Sequence, residues 1–329
     1  MTVGSGRPGP VVLCLSQSFG RTSPEALATL ESAGAVLVRS VLSDEKIDDR
    51  LREAAALIVG TENIDAALLD RAPNLVIVCK HGAGIDNIDV DAATKLGVAV
   101  TSAAGANAVA VAELTMGFII GLARGIVYQD SVVRSGGWGV HIGRSLQGST
   151  LGLVGIGRIG QLVAARAASF EMEVLAHDVV PDPPQGPWQL RSLEELLAES
   201  DFVSVHVPLT AETRGLIGAE QLSLMKPTAY LINAARGGIV DGTALGRALA
   251  DGAIAGAALD VFEEEPPPLG TPFFEMRDRT ILTPHMGAFS DRALAATSVV
   301  TSKSVVDALG GVLPAEAANN PEQWRGRRA

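Results

Sequence analysis

The run Gly152-Leu153-Val154-Gly155-Ile156-Gly157-Arg158-Ile159-Gly160 constrains the fold of this chain more than any other stretch. Leu151 to Val154 read as a short buried strand, Gly155, Gly157 and Gly160 fall at G-x-G-x-x-G spacing, and Gln161 to Phe170 continue in a helical pattern. Each glycine answers a separate demand: Gly155 a tight turn, Gly157 the approach of backbone to a pyrophosphate, Gly160 close packing of helix on strand. Phosphates then meet free N–H groups at a helix N-terminus. A second apolar run, Glu173 to His177, ends at Asp178, where a ribose 2′-hydroxyl needs an acceptor. Val179 and Val180 follow, with no Arg or Lys at hand for a 2′-phosphate. The pattern predicts a strand, turn and helix that bind NAD in preference to NADP.

The chain has 329 residues, enough for two domains with substantial cores. Lys and Arg total 26 against 37 Asp and Glu, a net charge of -11 with no local basic patch, so no nucleic-acid partner is expected. Cys14 and Cys79 sit in apolar runs and read as buried thiols of a reducing compartment. Met1 to Pro10 is polar and rich in Gly and Pro, not a signal sequence, and the apolar stretch Val109 to Ala123 holds Glu113 and is too short for a span. No membrane association is expected, and the cytoplasm is the expected location. The five histidines are scattered, with no H-E-x-x-H or Cys pair, so no metal site is expected.

Strand-like runs at Val11 to Leu15, Val36 to Val41, Ala55 to Val59, Leu75 to Cys79 and Val98 to Val100 alternate with helical patterns. The helices fall at Ser23 to Ala33, Ser43 to Ala56, Ile64 to Ala72 and Val90 to Leu96, with Ser23 and Asp89 as caps. Such alternation implies an α/β fold with a parallel sheet covered on both faces. Ala108 to Ser131 reads as one long apolar helix that must pack between domains or on a second subunit, and a homodimer is the simpler expectation. Further strands are expected at Asp201 to Val207, Ala229 to Ile232, Ala255 to Phe262 and Arg279 to Thr283. A capping box of Ser192 with Glu195 opens one intervening helix, and a helix of two to four turns beyond Asp291 runs to Leu309.

Polar groups cluster at strand ends, where open α/β sheets bind ligands. Lys80, Gly82 and Gly84 can hold an anion with an ammonium and backbone N–H groups. Arg236 offers a rigid fork for a carboxylate, His285 can move a proton near neutral pH, and Glu265 can hold the second ring nitrogen. This set suits oxidation of an alcohol beside a carboxylate, with hydride passing to a nicotinamide. His206, followed by Pro208, is a competing base with a second reading as a residue beside the nicotinamide, and nothing in the spacing alone shows that the set meets.

In this order, Gly82 to Asp89, Asn107 to Glu113, Thr150 to Gly160, His206 to Thr210, Asn233 to Asp241, Asp260 to Pro266 and Thr283 to Gly287 resemble the D-isomer-specific 2-hydroxyacid dehydrogenase family, phosphoglycerate dehydrogenase-like branch. The resemblance implies a catalytic set of Arg236, Glu265 and His285. It implies a cofactor site of Gly155, Gly157, Arg158, Ile159, Gly160, Asp178, His206, Pro208, Ala234, Ala235, Asp260 and Gly287, with Asp260 on the nicotinamide amide. Lys80, Gly82, Ala83, Gly84 and Asn107 fall to a small 2-hydroxy or 2-oxo acid substrate. It also implies a homodimer through the middle helices, an NAD-binding Rossmann domain over residues 106 to 284, and a flavodoxin-like α/β substrate domain from residues 1 to 105 and 285 to 329.

Departures from the branch shape the expectation about substrate. Phosphate-binding members tend to carry an arginine after the third strand, where this chain has Gly60-Thr61-Glu62, and Lys80 replaces an arginine fork with a point charge. The chain ends near residue 329, without room for the regulatory domain of longer relatives. An unphosphorylated acid of glyoxylate or hydroxypyruvate type is therefore preferred to 3-phosphoglycerate. The alternatives are D-3-phosphoglycerate dehydrogenase, a phosphite-type oxyanion dehydrogenase, and an NAD-sensing corepressor-like binding protein.

Overall fold

A computed structural model describes residues 9–180 and 183–326. The chain forms two compact units, one of residues 9–107 with 288–326, the other of residues 108–287. The boundaries lie slightly beyond those expected at 105 and 284, so His285 packs with the central unit.

The terminal unit holds β1 (Val11–Cys14), α1 (Pro24–Ser32), β2 (Val36–Arg39), α2 (Ile47–Glu53), β3 (Ala54–Val59), α3 (Ala66–Asp70), β4 (Ile77–Lys80), α4 (Val90–Lys95) and β5 (Ala99–Ser102). All five strands are parallel, in the order β2-β1-β3-β4-β5. Strands β3 and β4 are almost wholly buried, which is why both read as unbroken apolar runs. Ser23, Asp65 and Asp89 cap α1, α3 and α4 by accepting the N–H of Ala26, Leu68 and Ala92. The helix expected from Ser43 starts only at Ile47, because Asp44 accepts the Lys46 N–H and holds a turn there.

The central unit continues with α5 (Ala108–Arg124), α6 (Ile126–Arg134), β6 (Thr150–Val154), α7 (Arg158–Ser169), β7 (Glu173–His177), β8 (Gln189–Leu190), α8 (Leu193–Glu199), β9 (Phe202–Val205), α9 (Ala219–Leu224), β10 (Tyr230–Asn233), α10 (Gly242–Ala250), β11 (Gly256–Leu259) and β12 (Thr280–Leu282). Its seven parallel strands follow the order β12-β11-β10-β9-β6-β7-β8, a Rossmann-type sheet whose order reverses between β6 and β9. The Ser192 and Glu195 capping box opens α8. The chain then returns to the terminal unit as α11 (Asp291–Leu309), a 19-residue helix longer than the expected two to four turns, which packs on α1.

The single helix expected over Ala108 to Ser131 is two. Gly125 takes a left-handed φ of 61° and the pair bends by 61°. Most of α5 is buried against α7 and the sheet, so its apolar surface is covered within its own unit. Among the described residues no single helix is long and apolar enough to cross a membrane; α5 and α6 reach that length and composition only as the bent pair.

Candidate active site

The glycine turn between β6 and α7 divides its labour as geometry requires. Gly155 has φ 98°, and a Cβ there would lie 2.8 Å from the His206 backbone. At Gly160 a Cβ would lie 2.3 Å from the Gly155 carbonyl oxygen. Gly157, the N-cap of α7, has nothing within 4 Å of a Cβ position, so open space stands before the helix N-terminus. Arg158 and Ile159 form the first turn of that helix. Asp178 closes the turn from the end of β7: its carboxylate accepts the Ile156 N–H at 2.8 Å and the Val180 N–H at 3.0 Å. A dinucleotide pyrophosphate and an adenosine ribose fit this cradle.

Strand β10 delivers Arg236 through a short side-chain brace. Asn233 accepts the Ala235 N–H at 3.1 Å and donates to the Arg236 carbonyl at 2.9 Å, which fixes the turn through Ala234 and Ala235. His285 follows β12, and its Nδ1 lies 2.7 Å from Glu265 Oε2. The other Glu265 oxygen accepts the Phe262 N–H at 3.0 Å. Burial pushes the Glu265 carboxyl up, but hydrogen bonds from His285 and Phe262 and the charges of His285 and Arg236 outweigh it, holding the pKa below its usual 4.5. An ionised carboxylate only accepts, so Nδ1 carries the proton and Nε2 of the neutral ring holds the lone pair. Arg236, Glu265 and His285 are thus gathered in one unit, with the His285 tautomer set by Glu265.

Asp260 is 1% exposed and turned inward. It accepts the Thr283 hydroxyl, the Met286 N–H at 2.8 Å and the Gly287 N–H at 2.7 Å, while its own carbonyl accepts the His285 N–H at 2.7 Å. Together these bonds hold His285 at φ 51°, the left-handed region rarely adopted by residues other than glycine. His206 follows β9 with Nε2 2.9 Å from Ser204 Oγ, and its Nδ1 is buried without a partner among the described residues. Burial pushes its pKa down to about 4. Pro208 is exposed, and its carbonyl accepts the Thr213 hydroxyl at 2.6 Å. Sequence reasoning missed Thr283, Ser204 and Asn233 as supports; each stands next to or within a motif, but a hydrogen bond to a neighbouring side chain, or in Asn233 to the turn backbone, leaves no periodic signal.

In the terminal unit, Lys80 ends β4 with its ammonium on the Gly60 carbonyl and 2.7 Å from Asn87 Oδ1. Asn87 donates to the carbonyls of Gly60 and Glu62, and the Glu62 carboxylate folds back on the Gly60 N–H. Gly82, Ala83 and Gly84 are half-buried beyond it. Asn107, next to the start of α5, has a buried Oδ1 with no partner among the described residues.

Residues 116–287 match the family described as D-isomer specific 2-hydroxyacid dehydrogenase, NAD binding domain. The chain belongs to this family. With that membership come an NAD(P)-binding domain and the oxidoreductase chemistry of 2-hydroxy and 2-oxo acids. The chain is 40% identical to a glyoxylate reductase of Thermofilum pendens over 84% of its length and 85% of that protein's. It is 39% identical to a D-3-phosphoglycerate dehydrogenase of Methanocaldococcus jannaschii over 90% of its length, and spans 58% of that relative. A crystal structure of D-lactate dehydrogenase from Aquifex aeolicus with NAD and lactic acid superposes with a TM-score of 0.82 at 30% identity, covering 92% of this chain and 96% of that one. These relatives carry different substrates in their names, so membership alone selects no branch.

Proposed function

We propose that the chain interconverts a small, unphosphorylated D-2-hydroxy acid and its 2-oxo acid with NAD(H), glyoxylate or hydroxypyruvate in type. The observation that carries this reading is the 2.7 Å bond between His285 and an ionised Glu265, with the charge of Arg236 beside it. Arg236 anchors the substrate carboxylate. His285 Nε2 takes the hydroxyl proton during oxidation and returns it during reduction, and Glu265 stabilises the imidazolium in between. NAD, when bound, supplies the hydride acceptor. His206 is a poorer base, because a pKa near 4 leaves it with little affinity for a proton.

Gly155, Gly157, Arg158, Ile159 and Gly160 are assigned to the pyrophosphate, Asp178 to the ribose hydroxyls, and His206, Pro208, Ala234, Ala235, Asp260 and Gly287 to the nicotinamide end. Asp178 favours NAD, since its ionised form would accept a 2′-hydroxyl and repel a 2′-phosphate. Lys80, Gly82, Ala83, Gly84 and Asn107 are assigned to the acid. Glu62 supports an unphosphorylated substrate: its negative charge lies at Gly60, beside the Lys80 ammonium that would otherwise meet a phosphate. The terminal unit, with its 2-1-3-4-5 strand order, is read as a flavodoxin-like substrate domain, and the central unit as the cofactor domain. Exposed Val127, Val133, Trp138, Val140 and Ile142 support a homodimer through α6 and the segment after it. The second reading, D-3-phosphoglycerate dehydrogenase, is favoured by identity to the Methanocaldococcus relative.

Loss of NADH and NADPH absorbance tests both, with glyoxylate, pyruvate, hydroxypyruvate and phosphohydroxypyruvate as substrates. NADH-dependent turnover of the unphosphorylated acids, reduced by about 100-fold or more in His285→Ala, is the expected result. Preference for phosphohydroxypyruvate would replace the first reading with the second, and tight NADH binding without turnover would remove both.

A further inference from the structure

His81 stands between Lys80 and the Gly82-Ala83-Gly84 loop, yet its ring faces inward and the residue is 8% exposed. Its Nε2 lies 2.9 Å from Ser298 Oγ on α11. Its Nδ1 lies 3.1 Å from Ser18 Oγ and 3.3 Å from Ser16 Oγ, both in the loop after β1. Phe19 meets the ring edge-on at a centroid distance of 5.6 Å, and the Gly20 N–H donates to Ser298 Oγ at 3.1 Å. One imidazole therefore joins the end of β4, the loop after β1 and the return helix. The ring does more than fill space, because an apolar side chain of the same size would leave the buried Ser16 and Ser298 hydroxyls without this partner. A neutral imidazole can donate at one nitrogen and accept at the other, so a single rigid group spans two partners. Burial and the neighbouring Lys80 charge push its pKa down to about 4, which keeps it in that form.

Along the sheet, the main chain around His81 is tied by its own N–H to the Val59 carbonyl at 2.8 Å and by the Ala103 N–H to the Gly82 carbonyl at 2.9 Å, and the far end of the loop is held at Asn87, whose carbonyl accepts the Ile64 N–H. Beyond Gly82, a loop with two glycines has wide conformational freedom unless something outside the sheet restrains it. We propose that His81 is a positioning residue for the acid-holding loop, locking the backbone of Gly82 to Gly84 and the root of Lys80 through Ser16, Ser18 and Ser298. The inference rests on the proposed reading of Lys80 and Gly82 to Gly84 as the holders of the acid. Donors held in place beforehand do not have to be ordered by the incoming substrate, so loosening them weakens substrate binding. The proton-transfer set belongs to the other unit and is left as it was.

Three variants test this. His81→Phe keeps the ring volume and the contact with Phe19 while removing the hydrogen bonds at both ring nitrogens, His81→Gln restores a donor and an acceptor, and Ser298→Ala cuts the network from α11. In His81→Phe, KM for the accepted 2-oxo acid should rise roughly tenfold with kcat within about twofold and NADH affinity unchanged. His81→Gln and Ser298→Ala should fall between it and the wild type. Hydrogen exchange of peptides covering residues 80–88, without substrate, should quicken in His81→Phe and Ser298→Ala, while peptides of the central unit exchange as before. Unchanged exchange overturns the lock, whether or not the enzyme reading stands, and faster exchange with unchanged KM reduces the network to packing. If the wild type turns over no acid, the functional reading fails by itself and exchange alone decides whether His81 holds the loop. Where His81→Phe fails to fold, the other two variants carry the same comparisons.

Discussion

Besides the nicotinamide end to which it is assigned, Asp260 serves the backbone: its carboxylate turns inward to Thr283, Met286 and Gly287 and steadies the left-handed backbone of His285. Asp260→Ala leaves the buried Gly287 N–H, the part-buried Met286 N–H and the Thr283 hydroxyl without their acceptor, and should lower stability by about 3 kcal/mol in urea unfolding. It should also lower kcat more than it alters NADH affinity, because the His285 ring loses its support; a kcat equal to wild type would refute the positioning role. Arg236, Glu265 and His285 were legible as residue types at strand ends. Their meeting was not, since Glu265 and His285 are 20 residues apart and are joined only when β11 and β12 lie side by side.

At the scale of elements, the glycine turn separates steric from chemical need. A methyl at Gly160 runs into the Gly155 carbonyl at 2.3 Å, while one at Gly157 meets nothing within 4 Å. Gly160→Ala should therefore unfold at distinctly lower denaturant, by roughly 2 kcal/mol of stability. Gly157→Ala should keep wild-type stability and lose NADH affinity, seen by fluorescence titration; equal NADH binding in Gly157→Ala would sever the turn from the cofactor. These spacings were readable in advance because a turn and a helix start are local. The break between α5 and α6 was not. A glycine inside a helix costs only about 1 kcal/mol relative to alanine, so Gly125 did not stop the apolar pattern. The break is set by the segment that packs over it: the Arg144 N–H takes the Ala123 carbonyl at 2.7 Å, and a Cβ on Gly125 would lie 2.9 Å from the His141 ring.

For the whole molecule, two neutral histidines, the buried His81 and the half-buried His206, make stability depend on pH. His81 and His206 have folded pKa values of about 4 against 6.5 for an ordinary histidine, so the unfolded chain binds protons first as pH falls through 6.5. Stability is thus full above 6.5 and lost down to about 4, by up to about 3 kcal/mol per group at about 1.4 kcal/mol per unit. Glu265 and Asp201, both depressed, act in a lower window: their contributions are present above the usual 4.5 and 3.8 and are lost as pH falls below those values. Urea midpoints should fall between about pH 7 and about pH 5, and fall less steeply in His81→Gln; equal midpoints at the two pH values would contradict the histidine assignment. The sequence by itself determined the α/β alternation, the helix caps and the dinucleotide turn, because periodicity, capping and glycine spacing act within a few residues. The order of the strands, the His285 and Glu265 pair, the inward Asp260 and the His81 network were decided only by tertiary structure. Their contacts join residues 20 to 217 positions apart, and such contacts depend on which strands and helices become neighbours rather than on any local pattern.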